Sequence, residues 1–127
     1  MNRMTILVLI AAAPLIAIAT TLAQTKPSEP KMHTFAIIYA PGPNWVQGHS
    51  IFEQDLMAHA NYMQKLLDDG KLQLGGPFSD STGGMAIINA PDPTAARNIM
   101  ENDPAIVNGI FTAKVHPWFI VFRAKPQ

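Results

Sequence analysis

No cysteine occurs in the 127 residues, so neither disulfides nor cysteine-ligated metals can hold this chain together. Lipid attachment to a cysteine behind an export signal is excluded for the same reason. An excess of either charge is also missing, because nine Lys and Arg stand against nine Asp and Glu. With no basic face and no acidic block, nucleic acid is not an expected partner. Internal repeats are absent. Stability must come from a packed core, helped by any interface with a second copy.

What is present begins with an export-like segment. Met1 to Met4 carries one positive charge, Thr5 to Ile18 is apolar apart from Thr5 and Pro14, and Thr21-Leu22-Ala23 places small residues at the positions a secretory peptidase reads. Residues 1–23 are therefore expected to be a signal peptide, and the mature protein to be periplasmic or secreted. An uncleaved anchor is the alternative, since Met4 to Ala23 is about long enough to span a bilayer. Once the segment is cleaved, no stable membrane association is expected. Residues 24–33 are polar and proline-bearing and are expected to form a disordered tether. Residues 34–123 are read as one domain, a size that can bury its own core, and 124–127 as a tail.

Within that domain the pattern is strand, helix, strand, strand, helix, strand. Thr34 to Tyr39 is a short apolar run stopped by Pro41, hence a buried strand. Trp45, in the following Pro- and Gly-rich loop, either covers the core edge or forms a lid. Ser50 and Glu53 have capping-box spacing, which predicts a helix from Ile51 to about Asp69, ended by Gly70. Lys71 to Gly75 and Met85 to Ala90 read as strands. Asp92-Pro93 starts a second helix that reaches Glu101. Pro104 to Gly109 is a helical turn or loop, and Phe111 to Phe122 is a last strand with Pro117 at an edge or bulge. This order predicts an α+β, ferredoxin-like βαββαβ domain: a four-stranded antiparallel sheet with two helices on one face. The strands are apolar on both sides, so the uncovered face is expected to pack on another copy in a homodimer.

His59 is the residue that does not fit a purely structural pattern. It sits mid-stripe among Phe52, Leu56, Met63, Leu66 and Leu67, positions that share one helical face at about 100° per residue. An imidazole there needs a polar partner, and Asp80 is the strong candidate. A histidine held by a carboxylate has a fixed tautomer and one nitrogen free for proton transfer. His59 and Asp80 are thus the candidate catalytic pair, able to take a proton beside a carbonyl or assist loss of a leaving group. The alternative is a hydrogen bond that only ties helix to loop, in a non-catalytic ligand-binding or structural dimer. Asp103, before Pro104, is a candidate lining residue of the same pocket, with a turn or helix-end role as its plain alternative. Tyr62 is a candidate at the pocket rim or in the core. Gly75-Gly76-Pro77 and Gly83-Gly84 lack the lysine and helix start of a phosphate loop. They suit hairpin turns whose backbone approaches a ligand, which makes Pro77 a candidate substrate contact. His33, His49, His59 and His116 show no ligand spacing, so neither a metal nor another cofactor is expected.

The ordered set His59-Ala-Asn-Tyr-Met-Gln-Lys-Leu-Leu-Asp-Asp-Gly70, Gly75-Gly-Pro77-Phe-Ser-Asp80, Gly83-Gly84, Asp103-Pro104, Gly109-Ile-Phe and Pro117-Trp118 resembles the YCII-related (YciI-like) domain. The likeness runs from about Phe35 to Phe122. It implies a dimeric α+β barrel, a small-molecule enzyme, and a site that pairs His59 with Asp80; the reaction expected of such a pair is that of a lyase or isomerase.

Overall fold

The computed structural model describes residues 28–125. The expected signal peptide and residues 24–27 of the expected tether lie outside the described residues. Ser28 to Met32 are exposed and irregular, and the first strand, β1 (His33–Pro41), takes in His33. A single 3-10 turn follows at Ile51–Glu53, then α1 (Met57–Asp68), β2 (Leu72–Pro77) and β3 (Gly84–Ala90). α2 (Pro93–Glu101), the short α3 (Pro104–Val107) and β4 (Phe111–Pro117) complete the chain. The strands form one antiparallel sheet in the order β2-β3-β1-β4, and this is the α+β, ferredoxin-like arrangement the element order predicts.

Register decides which side chains meet the helices. Phe35, Ile37 and Tyr39 of β1 stand opposite Ile88, Ala86 and Gly84 of β3 and opposite Pro117, Val115 and Ala113 of β4. Strand side chains alternate between faces, so this set shares the helix face. Most of it joins the core with Leu66 of α1, Ala96 of α2, Ala105 of α3 and Phe111. Trp45 is buried, its ring 5.8 Å from that of Phe111, and therefore covers the core edge. The other face carries Ala36, Ile38, Met85 and Ile87 at its centre, with Lys114 and His116 towards the β4 edge.

Two expected boundaries are corrected. The long helix from Ile51 is broken after Glu53, where Gln54 adopts an extended backbone (φ −79°, ψ 154°). The Gln54 side chain causes this break: its carbonyl accepts from Val46 N–H (2.9 Å) and its amide donates to Val46 O (3.0 Å). Closing that loop needs Gln54 turned back towards Val46, which a continuous helix would not allow. Phe52 is consequently thrown outward, 87 % exposed, and leaves the buried stripe it was assigned to. The last strand stops at Pro117 rather than Phe122. Proline has no N–H to continue the ladder, and the final bond runs from Trp118 N–H to Thr34 O (2.9 Å).

The capping-box spacing does operate, on the 3-10 turn. The Glu53 carboxylate accepts from the Ser50 backbone N–H and hydroxyl, both at 2.8 Å. These bonds hold the Glu53 carboxyl below its ordinary value of 4.5. A depressed carboxylate stabilises the fold above its unfolded pKa, and that contribution is lost as pH falls through the folded value. The Ser50 amide resonance should therefore hold steady on acidification until the ordinary carboxylate range is passed. A shift at or above pH 4.5 would show that the link is not made in solution.

Candidate functional site

A cavity of about 570 Å³ opens between α1, the 3-10 turn and the sheet end where β1 finishes and β3 begins. Its walls are mostly apolar, with Leu56, Met63, Leu72 and Phe111 among them. Gly75, Gly76, Pro77 and Gly84 supply a backbone wall along the β2–β3 pairing, and Phe52, Met57 and Leu67 line the cavity while standing exposed. Only part of the apolar stripe on α1 packs on the sheet; the rest faces this space. That is why a sequence stripe that reads as core stays half open here.

His59 is the ionisable group of α1 on the cavity wall. Its ring sits edge-on to Tyr39 (5.6 Å, 77°) and to Phe111 (5.6 Å, 73°), which fixes its plane. Nδ1 lies 2.9 and 2.8 Å from the two carboxylate oxygens of Asp103. An ionised carboxylate only accepts, so Nδ1 donates to it, and in the neutral ring Nε2 is the nitrogen with the lone pair. Among the described residues Nε2 has no hydrogen-bond partner. Asp103 is fully buried and is held by its own helix, capping α3 through the Ala105 N–H (2.9 Å). The residue thus closes a helix end and clamps an imidazole with one carboxylate.

The expected pairing of His59 with Asp80 is corrected. Asp80 lies in the exposed β2–β3 turn, where its carboxylate accepts from the Thr82 hydroxyl (2.6 Å) and the Thr82 N–H (3.1 Å). Those two bonds, the hydroxyl first, hold its carboxyl below the ordinary value. A short polar side chain bonds the backbone two residues ahead more readily than a group on a distant helix. Asp103, expected as a pocket-lining residue, takes the carboxylate role instead and lies behind the histidine. Tyr62 does not reach the cavity: its hydroxyl donates to Ile99 O (2.8 Å) and ties α1 to α2. Pro77 does line the cavity. His33, His49 and His116 are exposed on separate elements, and no cluster of three metal-ligating side chains occurs among the described residues.

Tyr39 is a site residue that sequence reading missed. Its place in the alternation Phe35, Ile37, Tyr39 was the available signal, since a tyrosine ending a buried strand face needs somewhere to put its hydroxyl. Here that hydroxyl is buried with no hydrogen-bond partner among the described residues. Burial first, and then the nearby Asp103 carboxylate, push the phenol well above its ordinary range, so it stays protonated. Tyr39→Phe removes an unsatisfied polar atom and is expected to leave urea stability unchanged or raise it by up to ~1–2 kcal/mol. A loss of more than ~1 kcal/mol would mean that the hydroxyl bonds Asp103 after all.

A family model for the YCII-related domain matches residues 34–118. An uncharacterized protein of Bacillus subtilis (strain 168), YjpA, is 32% identical over 68 residues, which span 53% of this chain and 80% of that protein. Among solved structures, one similar chain is a 5-chloro-2-hydroxyhydroquinone dehydrochlorinase (TftG) from Burkholderia phenoliruptrix AC1100, in complex with 2,5-dihydroxybenzoquinone. It superposes with a TM-score of 0.54 at 27% identity, covering 68% of this chain and 93% of that one.

Proposed function

This chain belongs to the YCII-related domain family, and from that premise we propose that it is a small-molecule lyase or isomerase using His59 as general acid and base. The observation that carries this reading is a half-buried imidazole that lines a cavity of about 570 Å³, its Nδ1 clamped by a fully buried carboxylate and its Nε2 unbonded among the described residues. Nε2 takes a proton from a carbon beside a carbonyl, or from a hydroxyl. Asp103 stabilises the imidazolium that forms and keeps the ring in the productive tautomer. Returning that proton to another carbon gives an isomerase; loss of a leaving group from the carbanion or enolate gives a lyase. Pro77 and the glycine backbone of β2 offer a flat wall against which a planar substrate would lie. The similar chain is a dehydrochlorinase bound to a quinone, chemistry of the same kind.

Two further features complete the proposal. A second copy packs on the open sheet face, where Ile38 and Leu74 are exposed, and residues 1–23 export the protein. The alternative, a binding or structural dimer with His59–Asp103 as a brace, predicts ligand binding without turnover.

The test is a panel of small hydroxy- and keto-compounds, chlorinated hydroquinones included, followed in D2O for proton exchange and for chloride release. 2,5-Dihydroxybenzoquinone serves as a separate binding probe. Turnover that depends on His59 supports the proposal. A compound processed equally by His59→Gln, or binding without any turnover across the panel, would count against it.

A further inference from the structure

The chain beyond β4 is a run of exposed apolar residues. After the Trp118–Thr34 bond, residues 119–125 make no further backbone hydrogen bond among the described residues. Yet Trp118-Phe119-Ile120-Val121-Phe122 is strongly strand-forming, with Phe119 88 % and Phe122 92 % exposed and Trp118 and Val121 also exposed. Both sides of the segment are apolar, so an alternating, half-solvated strand does not suit it. The helix face of its own sheet is already filled.

We propose that this C-terminal arm crosses to a second copy of the chain and packs on the open face of that copy's sheet, with the partner's arm returned reciprocally. The inference rests on the sheet-to-sheet homodimer proposed above and adds the element that holds it. Area favours a second copy over an unrelated protein. Three aromatic side chains at roughly 150–250 Å² each give one arm on the order of 500 Å². A specific interface buries about 1,200–2,000 Å² in total, which one arm does not supply. Two arms in a self-complementary exchange, added to the facing apolar centres around Ile38 and Leu74, bring the buried surface into that range. The open face also suits this occupant, because its apolar centre is bordered by Gln73, Asn89, Lys114 and His116, the polar rim of an interface. Arg123 and Lys125 end the described arm and would leave its tip in water.

Sedimentation equilibrium on the purified full chain tests this, with Phe119→Asp/Phe122→Asp and Leu74→Asp as variants at exposed positions and far-UV circular dichroism to confirm their fold. The expected result is a wild-type dimer whose dissociation constant rises at least about 100-fold in the arm variant, with an unchanged spectrum. A dimer broken by Leu74→Asp but indifferent to the arm variant would overturn the arm and leave the sheet-face dimer standing. A wild-type chain that is monomeric throughout the micromolar range would overturn both. The proposal also fails if the monomer floats with phosphatidylcholine–phosphatidylglycerol vesicles through its arm, since the occupant would then be a lipid surface.

Discussion

Asp103→Ala is expected to lose about 2–4 kcal/mol of folding stability, combining a lost helix cap of ~1 kcal/mol with a buried donor left unsatisfied at ~1–3 kcal/mol. The Ala105 N–H would lose its cap and the Nδ1–H of His59 its acceptor, and Asp103 is fully buried, with both oxygens engaged. Asp103→Asn separates the two duties. The amide oxygen can still accept from Ala105, so the cap survives and the stability loss should be the smaller of the two. Its NH2 group, however, would then face Nδ1. That arrangement favours the imidazole with the proton on Nε2, which turns a base into a donor. Turnover should fall by roughly 10²–10⁴-fold, the range in which positioned acid–base groups contribute, in a protein that unfolds nearly as the wild type does. Paired urea melts and rate measurements on the two variants give the result. Full turnover in Asp103→Asn would reduce the pair to a brace between α1 and α3.

Why Asp103 and not Asp80 clamps the histidine explains how far the sequence could be read. The fold was legible because local signals agree with one another: apolar strands of the right length, Gly70 ending α1, and Asp92-Pro93 opening α2. His59 was legible as an anomaly, a polar ring on an apolar face. Its partner was not. Residues 59 and 103 are 44 apart and meet only because α3 packs beside α1, a tertiary event with no trace in spacing. Asp80 is the stronger candidate in sequence until its neighbour Thr82 is seen to satisfy it locally. The break at Gln54 was hidden for a similar reason. A glutamine side chain reaching back to Val46 overrides a capping signal that otherwise reads as the start of a long helix. The cavity follows from that break, because a continuous helix would have kept Phe52 on the buried stripe.

Gly83→Ala should be the most damaging change in the turn that bounds the site. Gly83 has φ +144°, a conformation L side chains rarely adopt, and a Cβ added there would collide with the carbonyl oxygen of Tyr39. Neither side of that contact can yield cheaply. Tyr39 lies in β1, paired on both sides, and Gly84, next in the chain, is the Tyr39 partner in the β1–β3 ladder. Backbone strain of ~1–3 kcal/mol and steric overpacking of a similar ~1–3 kcal/mol put the expected loss at about 2–6 kcal/mol. At ~4–8 °C per kcal/mol for a domain of this size, the melting midpoint should drop by at least ~8 °C. Gly76→Ala is the matched control. Its added Cβ meets nothing within 4 Å, so stability should hold within ~0.5 kcal/mol. Gly76 pairs with Met85, whose side chain is on the open face, so the new methyl points away from the cavity although the Gly76 backbone lines it. The two substitutions therefore divide by mechanism: one removes the frame that holds Tyr39 behind His59, the other leaves both frame and cavity intact. A Gly83→Ala protein that melts with the wild type would show that the Tyr39 strand end is free to move. A fixed edge-on contact between Tyr39 and His59 could then no longer be assigned the task of orienting the imidazole.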